Sequence, residues 1–113
     1  MQKSTAVSLR ALAASIALMA LLIMHGNANA ADAQVKIANF TFDPPILTMK
    51  AGTTVTWVNN DDIPHLVSEK DGKFRSSALD TGDKFSQTFS TAGTVEYFCA
   101  IHPHMTGKIV VEP

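Results

Sequence analysis

The sequence predicts an all-β fold, a β-sandwich of short strands, behind a short apolar leader. Two features of the main part of the chain point there. Apolar residues alternate with a period of two, and turn-forming pairs interrupt that alternation at short intervals. A third observation bounds the size: 113 residues leave room for one small domain of the usual about 100–150 residues.

The elements follow in order. Ala11–Met24 carries no charge and comes after Lys3 and Arg10. It is too short for a spanning helix, which needs about 20 apolar residues. Ala28-Asn29-Ala30 then supplies the small-x-small pattern of a signal-peptidase site. Residues 1–30 are therefore expected to be a signal peptide and Ala31–Pro113 a single exported, periplasmic domain. A buried amphipathic helix is the alternative, but the run has no polar face. Val35–Ala38, Thr53–Val58, Lys84–Phe89, Thr94–Cys99 and Lys108–Val111 read as strands, rich in β-branched and aromatic residues. Asp43-Pro44-Pro45, Ala51-Gly52, Asp71-Gly72, Thr81-Gly82, Ala92-Gly93 and Thr106-Gly107 read as turns. Glu69–Asp83 is the least regular stretch, expected as a loop with at most a short helical turn. Short strands at such spacing argue for a sandwich.

Charge excludes one class of partner. Two of the nine basic residues, Lys3 and Arg10, sit in the leader, and none of the ten acidic ones does. The exported part is mildly acidic with no basic patch, so nucleic-acid binding has no electrostatic support. No second apolar run exists to span a membrane. A domain this small gains from a metal or a disulfide. The single cysteine, Cys99, rules out a disulfide within the chain. An unpaired cysteine in an exported protein needs a job or a shield.

Cys99-Ala100-Ile101-His102-Pro103-His104-Met105 suggests the job. A thiolate former, two imidazoles and a thioether lie together between two strands, and Pro64-His65 follows the Trp57 strand. Cys, His and Met form a soft donor set that suits copper in both oxidation states. Taken singly, His65 and His102 would be ordinary loop histidines, Met105 core filler and Cys99 an inert buried thiol. Their joint spacing argues otherwise. His104 directly precedes Met105, and adjacent ligands would be strained; it reads as a solvated loop residue and a partner contact. Asn39-Phe40-Thr41 matches the glycosylation sequon, a pattern frequent by chance.

Val55-Thr56-Trp57-Val58-Asn59, Pro64-His65, Tyr97-Phe98-Cys99 with its C-x2-H-x2-M loop, and Gly107-Lys108-Ile109-Val110-Val111 together resemble the cupredoxins. The short loop is similar to that of the amicyanins more than to those of plastocyanins or pseudoazurins. The resemblance covers nearly all of Ala31–Pro113. It implies a Greek-key sandwich of about seven to eight strands holding one type 1 copper ion, with His65, Cys99, His102 and the weak axial Met105 as ligands. It also implies transient redox partners, such as a dehydrogenase or a c-type cytochrome, and a monomer. The His102 ring edge is then expected at the surface, ringed by apolar residues such as Pro64, Pro103 and Pro44 or Pro45. There are two departures. Leu66 stands where amicyanins have an Asn that ties the ligand loops together, at a position that tunes the metal, and the exported N-terminus is shorter.

The function so implied is single-electron shuttling by Cu(II)/Cu(I) cycling, not an enzymatic reaction. The site has no evident open position and no carboxylate placed as a base. A copper carrier or buffer is the alternative, with the same ligands. A Cys99 nucleophile with a histidine base leaves Met105 and one His unexplained, and Met is a poor zinc ligand. Asp61, Asp62, Glu69 and Asp71 are expected as solvated turn residues, available to steer a basic partner.

Overall fold

A computed structural model describes residues 31–113; the expected signal peptide lies outside the described residues. Eight strands are present: β1 (Asp32–Ala38), β2 (Thr41–Asp43), β3 (Ile46–Lys50), β4 (Thr53–Asn59), β5 (Val67–Glu69), β6 (Lys84–Phe89), β7 (Gly93–Cys99) and β8 (Thr106–Glu112). They form two four-stranded sheets, ordered β2-β1-β4-β6 and β3-β8-β7-β5. The five strands expected from alternation are all there. Three short ones, β2, β3 and β5, were not expected. Glu69–Asp83 is a loop apart from the last residue of β5, and no helical turn occurs among the described residues.

Alternation builds the core. In β1, Val35 and Ile37 are buried between exposed Gln34, Lys36 and Asp32, and in β8 Gly107, Ile109 and Val111 point inward. The central strand β4 buries Val55, Trp57 and Asn59 on one face. Trp57 anchors an aromatic cluster, its ring 5.3–6.4 Å from those of Tyr97, Phe85, Phe74 and Phe89. Two pairings are parallel, β1 with β4 (Val35 opposite Trp57) and β3 with β8 (Leu47 opposite Ile109). Chain neighbours therefore often lie in different sheets, which ties the two layers together.

The missed strands have little pattern to read. β2 and β3 bury one residue each, Phe42 and Met49. Every residue of β5 is buried, because the following loop folds back over that edge and bridges Ser68 to Arg75 and His65 to Leu79. A covered edge strand needs no polar face.

Gly107 shows how closely the layers meet. A Cβ there would overlap the Tyr97 ring, so only glycine lets β8 pass under it. Trp57 Nε1 and Tyr97 Oη are buried without a hydrogen-bond partner. Burial pushes the Tyr97 phenol up to about 12.

Candidate metal centre

Cys99 ends β7 on the same face as Tyr97, and the inward period carries its thiol to the end of the core, fully buried. The loop after it folds on itself. His102 N–H donates to the Cys99 carbonyl (3.1 Å), Met105 N–H to the His102 carbonyl (2.9 Å), and Cys99 N–H to the Met105 carbonyl (3.0 Å). These bonds bring His102 and Met105 back beside Cys99. Met105 is buried and belongs to the core cluster; His102 is half-buried, and His104 is exposed, as expected.

His65 arrives from the β4–β5 connection and is wholly buried. Its N–H donates to the Leu79 carbonyl (3.1 Å) and its carbonyl accepts from the Leu79 N–H (2.8 Å). Asn59 fixes the turn before it. The buried amide donates to the carbonyls of Ile63 and Leu79 (both 2.8 Å) and accepts from the Asp61 N–H (2.9 Å). The two ligand loops are joined at Leu66 through its backbone groups: Leu66 N–H donates to Cys99 Sγ (3.4 Å), and Ala100 N–H to the Leu66 carbonyl (3.3 Å).

Three donors converge. Cys99 Sγ lies 3.6 Å from His65 Nδ1 and 3.7 Å from His102 Nδ1, and all three atoms fall within 4.8 Å of one another. Bond lengths of about 2.0–2.3 Å to a common ion would set a sulfur–nitrogen separation of about 3.6–3.8 Å. The observed spacings therefore fit one metal ion. The donor chemistry, one thiol and two imidazoles beside a buried thioether residue, fits copper.

Asp61 was expected as a solvated turn residue and is not one. Its side chain is only 13% accessible and lies 2.8 Å from His65 Nε2. It also accepts from the N–H groups of Asn39 (2.6 Å) and Phe40 (3.0 Å). Burial alone would raise its pKa, but the Phe40 N–H, the His65 ring and the Asn39 N–H outweigh it and hold the carboxyl below its ordinary range. An ionised carboxylate only accepts, so His65 carries its proton on Nε2 and turns the Nδ1 lone pair toward Cys99. Such a carboxylate–histidine pair orients a metal-binding imidazole. The signal in the sequence was slight: an acidic residue four before a histidine. Glu69 also differs from expectation, being buried and accepting from the N–H groups of Asp71 and Lys73. Asp62 and Asp71 are exposed as expected.

Around the half-buried His102, Pro64 and Pro103 are exposed, as are Phe40 (52%) and Ile101 (47%), which the sequence reading did not include. Pro45 is exposed and shares a groove of about 520 Å³ with Pro103, Ile46 and Phe98, whereas Pro44 is half-buried.

A two-sheet sandwich with a Cys/His cluster at one end defines a cupredoxin-type copper site. The description "copper binding proteins, plastocyanin/azurin family" matches residues 29–112, and the chain belongs to that family. It is 38% identical to amicyanin-alpha of Methylorubrum extorquens over 113 residues, 95% of each chain. With the amicyanin of Paracoccus versutus it shares 40% identity over 83 residues, 69% of this chain and 63% of that one. Among solved structures, a purple cupredoxin from Nitrosopumilus maritimus matches with TM-score 0.66 and 36% identity, covering 72% of this chain and all of that one. An oxidised amicyanin variant matches with TM-score 0.68 and 36% identity, covering 71% and 81%. A copper-containing nitrite reductase from Thermus scotoductus also matches, with TM-score 0.68 and 29% identity over 73% of this chain, but over only 22% of its own.

Proposed function

We propose that this protein is an exported type 1 copper protein that takes one electron from a reduced protein donor and passes it to an oxidised acceptor. His65, Cys99 and His102 would hold the copper, with the Met105 thioether as a weaker fourth donor. The observation that supports this most is the convergence of the three donors at one end of a rigid sandwich, with one imidazole wholly buried and the other half-exposed. Copper bound there supplies a one-electron couple, so no substrate bond forms or breaks.

The chain's own groups prepare that end. Leu66 N–H donates to Cys99 Sγ and helps fix where the sulfur points. The pairing with Asp61 fixes the His65 tautomer. Burial of His65, Cys99 and Met105 keeps bulk water from the donors and limits rearrangement on a change of charge. His102 alone reaches toward the surface, among exposed Phe40, Pro64, Ile101 and Pro103. A small apolar patch suits brief docking of a redox partner, such as a dehydrogenase or a c-type cytochrome. The domain acts as a monomer in the periplasm, after removal of residues 1–30. No helix among the described residues is long and apolar enough to cross a membrane.

The test is the visible and paramagnetic resonance spectrum of the copper(II)-loaded domain before and after ascorbate. An intense blue band with narrow copper hyperfine splitting, bleached by reductant and restored by oxidant without metal loss, is expected. A pale, tetragonal spectrum, or copper lost on cycling, would replace this reading with copper carriage.

A further inference from the structure

The turn between β1 and β2 breaks a local rule. Ala38 pairs with Thr41, leaving Asn39 and Phe40 as a two-residue hairpin loop, and both have positive φ, 52° and 57°. Turns of this kind favour Asn-Gly, because a side chain at the second position crowds the backbone. A phenylalanine in the left-handed region is an outlier that points to function when something holds it there. Here the holder is Asp61, whose carboxylate accepts the N–H groups of both turn residues.

Burial does not explain the aromatic ring, since it stays 52% exposed. Its neighbours do. The Phe40 ring meets His102 edge-to-face at 5.2 Å and 86°, and His65 at 5.7 Å and 89°, the geometry aromatic pairs prefer. The two imidazoles need it unequally. His65 is wholly buried and tied to Asp61. Among the described residues, the hydrogen-bond and ring partners of the His102 imidazole are Cys99 Sγ at 3.7 Å, the His65 ring at 5.1 Å and Phe40.

We infer that Phe40 is a positioning residue for the metal centre, bracing the half-exposed His102 imidazole so that its Nδ1 stays turned toward Cys99. Asp61 then serves both halves of the site with one carboxylate, fixing His65 directly and His102 through the turn that presents Phe40. The role rests on the ligand assignment proposed above, but the brace itself is tested without metal.

Phe40→Gly suits the backbone of the turn and removes only the ring. In the metal-free protein, NMR relaxation of the imidazole C–H groups should show His102 passing from one rotamer to averaging, with His65 unchanged and thermal unfolding no lower. In the copper-loaded protein, loss of metal to a chelator should speed up by about two- to tenfold, and Phe40→Tyr, which keeps the ring, should restore both readouts. An unchanged His102 in Phe40→Gly overturns the inference. Equal loosening of both histidines with a lower unfolding temperature also overturns it, because Phe40 would then support the fold in general. A failure of the copper spectrum in the wild type would instead count against the ligand assignment and leave the metal-free result standing.

Discussion

His65 and His102 lie at nearly equal distances from Cys99 Sγ, yet they are held in different ways. His65 sits in a closed half, fastened by a backbone pair with Leu79, by the Asn59 amide network and by Asp61. His102 sits in an open half, on a loop closed by its own backbone bonds and covered by an exposed ring. The difference separates two tasks. Under the proposed function, His65 would set the geometry that survives a change of charge, and His102 would give electrons a path to the surface. A site closed on both sides would hold copper but conduct poorly.

The comparison breaks hardest at the closed half. Asn59→Ala leaves the Ile63 carbonyl and the Asp61 N–H without their partner and takes one of two donors from the Leu79 carbonyl, and should cost about 2–3 kcal/mol in stability, read by denaturant unfolding. His102 should keep its ring order below the transition. Asp61→Ala should lower copper affinity about 10–100-fold in a chelator competition, with a smaller loss of global stability than Asn59→Ala. If the two substitutions act alike, the closed half is one structural unit and Asp61 has no separate part in orienting the ligand.

Alkaline titration probes the core beneath both halves. The Tyr97 phenol is raised to about 12 by burial against 10.0 for the free group, so the unfolded chain gives up that proton first. The stabilisation is fully present below pH 10 and is lost as pH rises toward 12, on the order of 2 kcal/mol. A flat stability across that window, after allowing for the lysines, would mean that the phenol is solvated. The smallest effect belongs far from the site. Glu96→Gln removes the exposed pairing with Lys70 (2.9 Å) and should leave the unfolding midpoint and the copper spectrum unchanged.

These contrasts also explain what could be read in advance. The open half was legible because Cys99, His102 and Met105 lie within one loop, where spacing alone shows a donor set. The long strands were legible because one face of each is wet, so Val35 and Ile37 alternate with Gln34 and Lys36. Of the closed half only His65 itself was legible; what fastens it was not. Asp61 meets Asn39 and Phe40 across more than 20 residues of chain, and no periodicity encodes that. Phe40 stood in what looked like a chance sequon, and its meaning depends on a backbone conformation. The parallel pairing of β1 with β4 was equally hidden, since register between distant strands is set by packing. Leu66 is the converse case: its side chain cannot make the tie expected of an Asn, and the loops are joined there by its own N–H and carbonyl, which need no particular side chain.

The position of β8 in its sheet has a consequence for how the protein is made. The last strand is an interior one, hydrogen-bonded to β7 on one side and to β3 on the other. Without it β3 has no partner in its sheet and β7 keeps only β5, and three of the four proposed ligands precede β8 immediately. Pairings of such long sequence separation form late and slowly. The loop that carries Cys99, His102 and Met105 is therefore no site by itself; the frame that brings it to His65 is complete only when β8 inserts between β3 and β7.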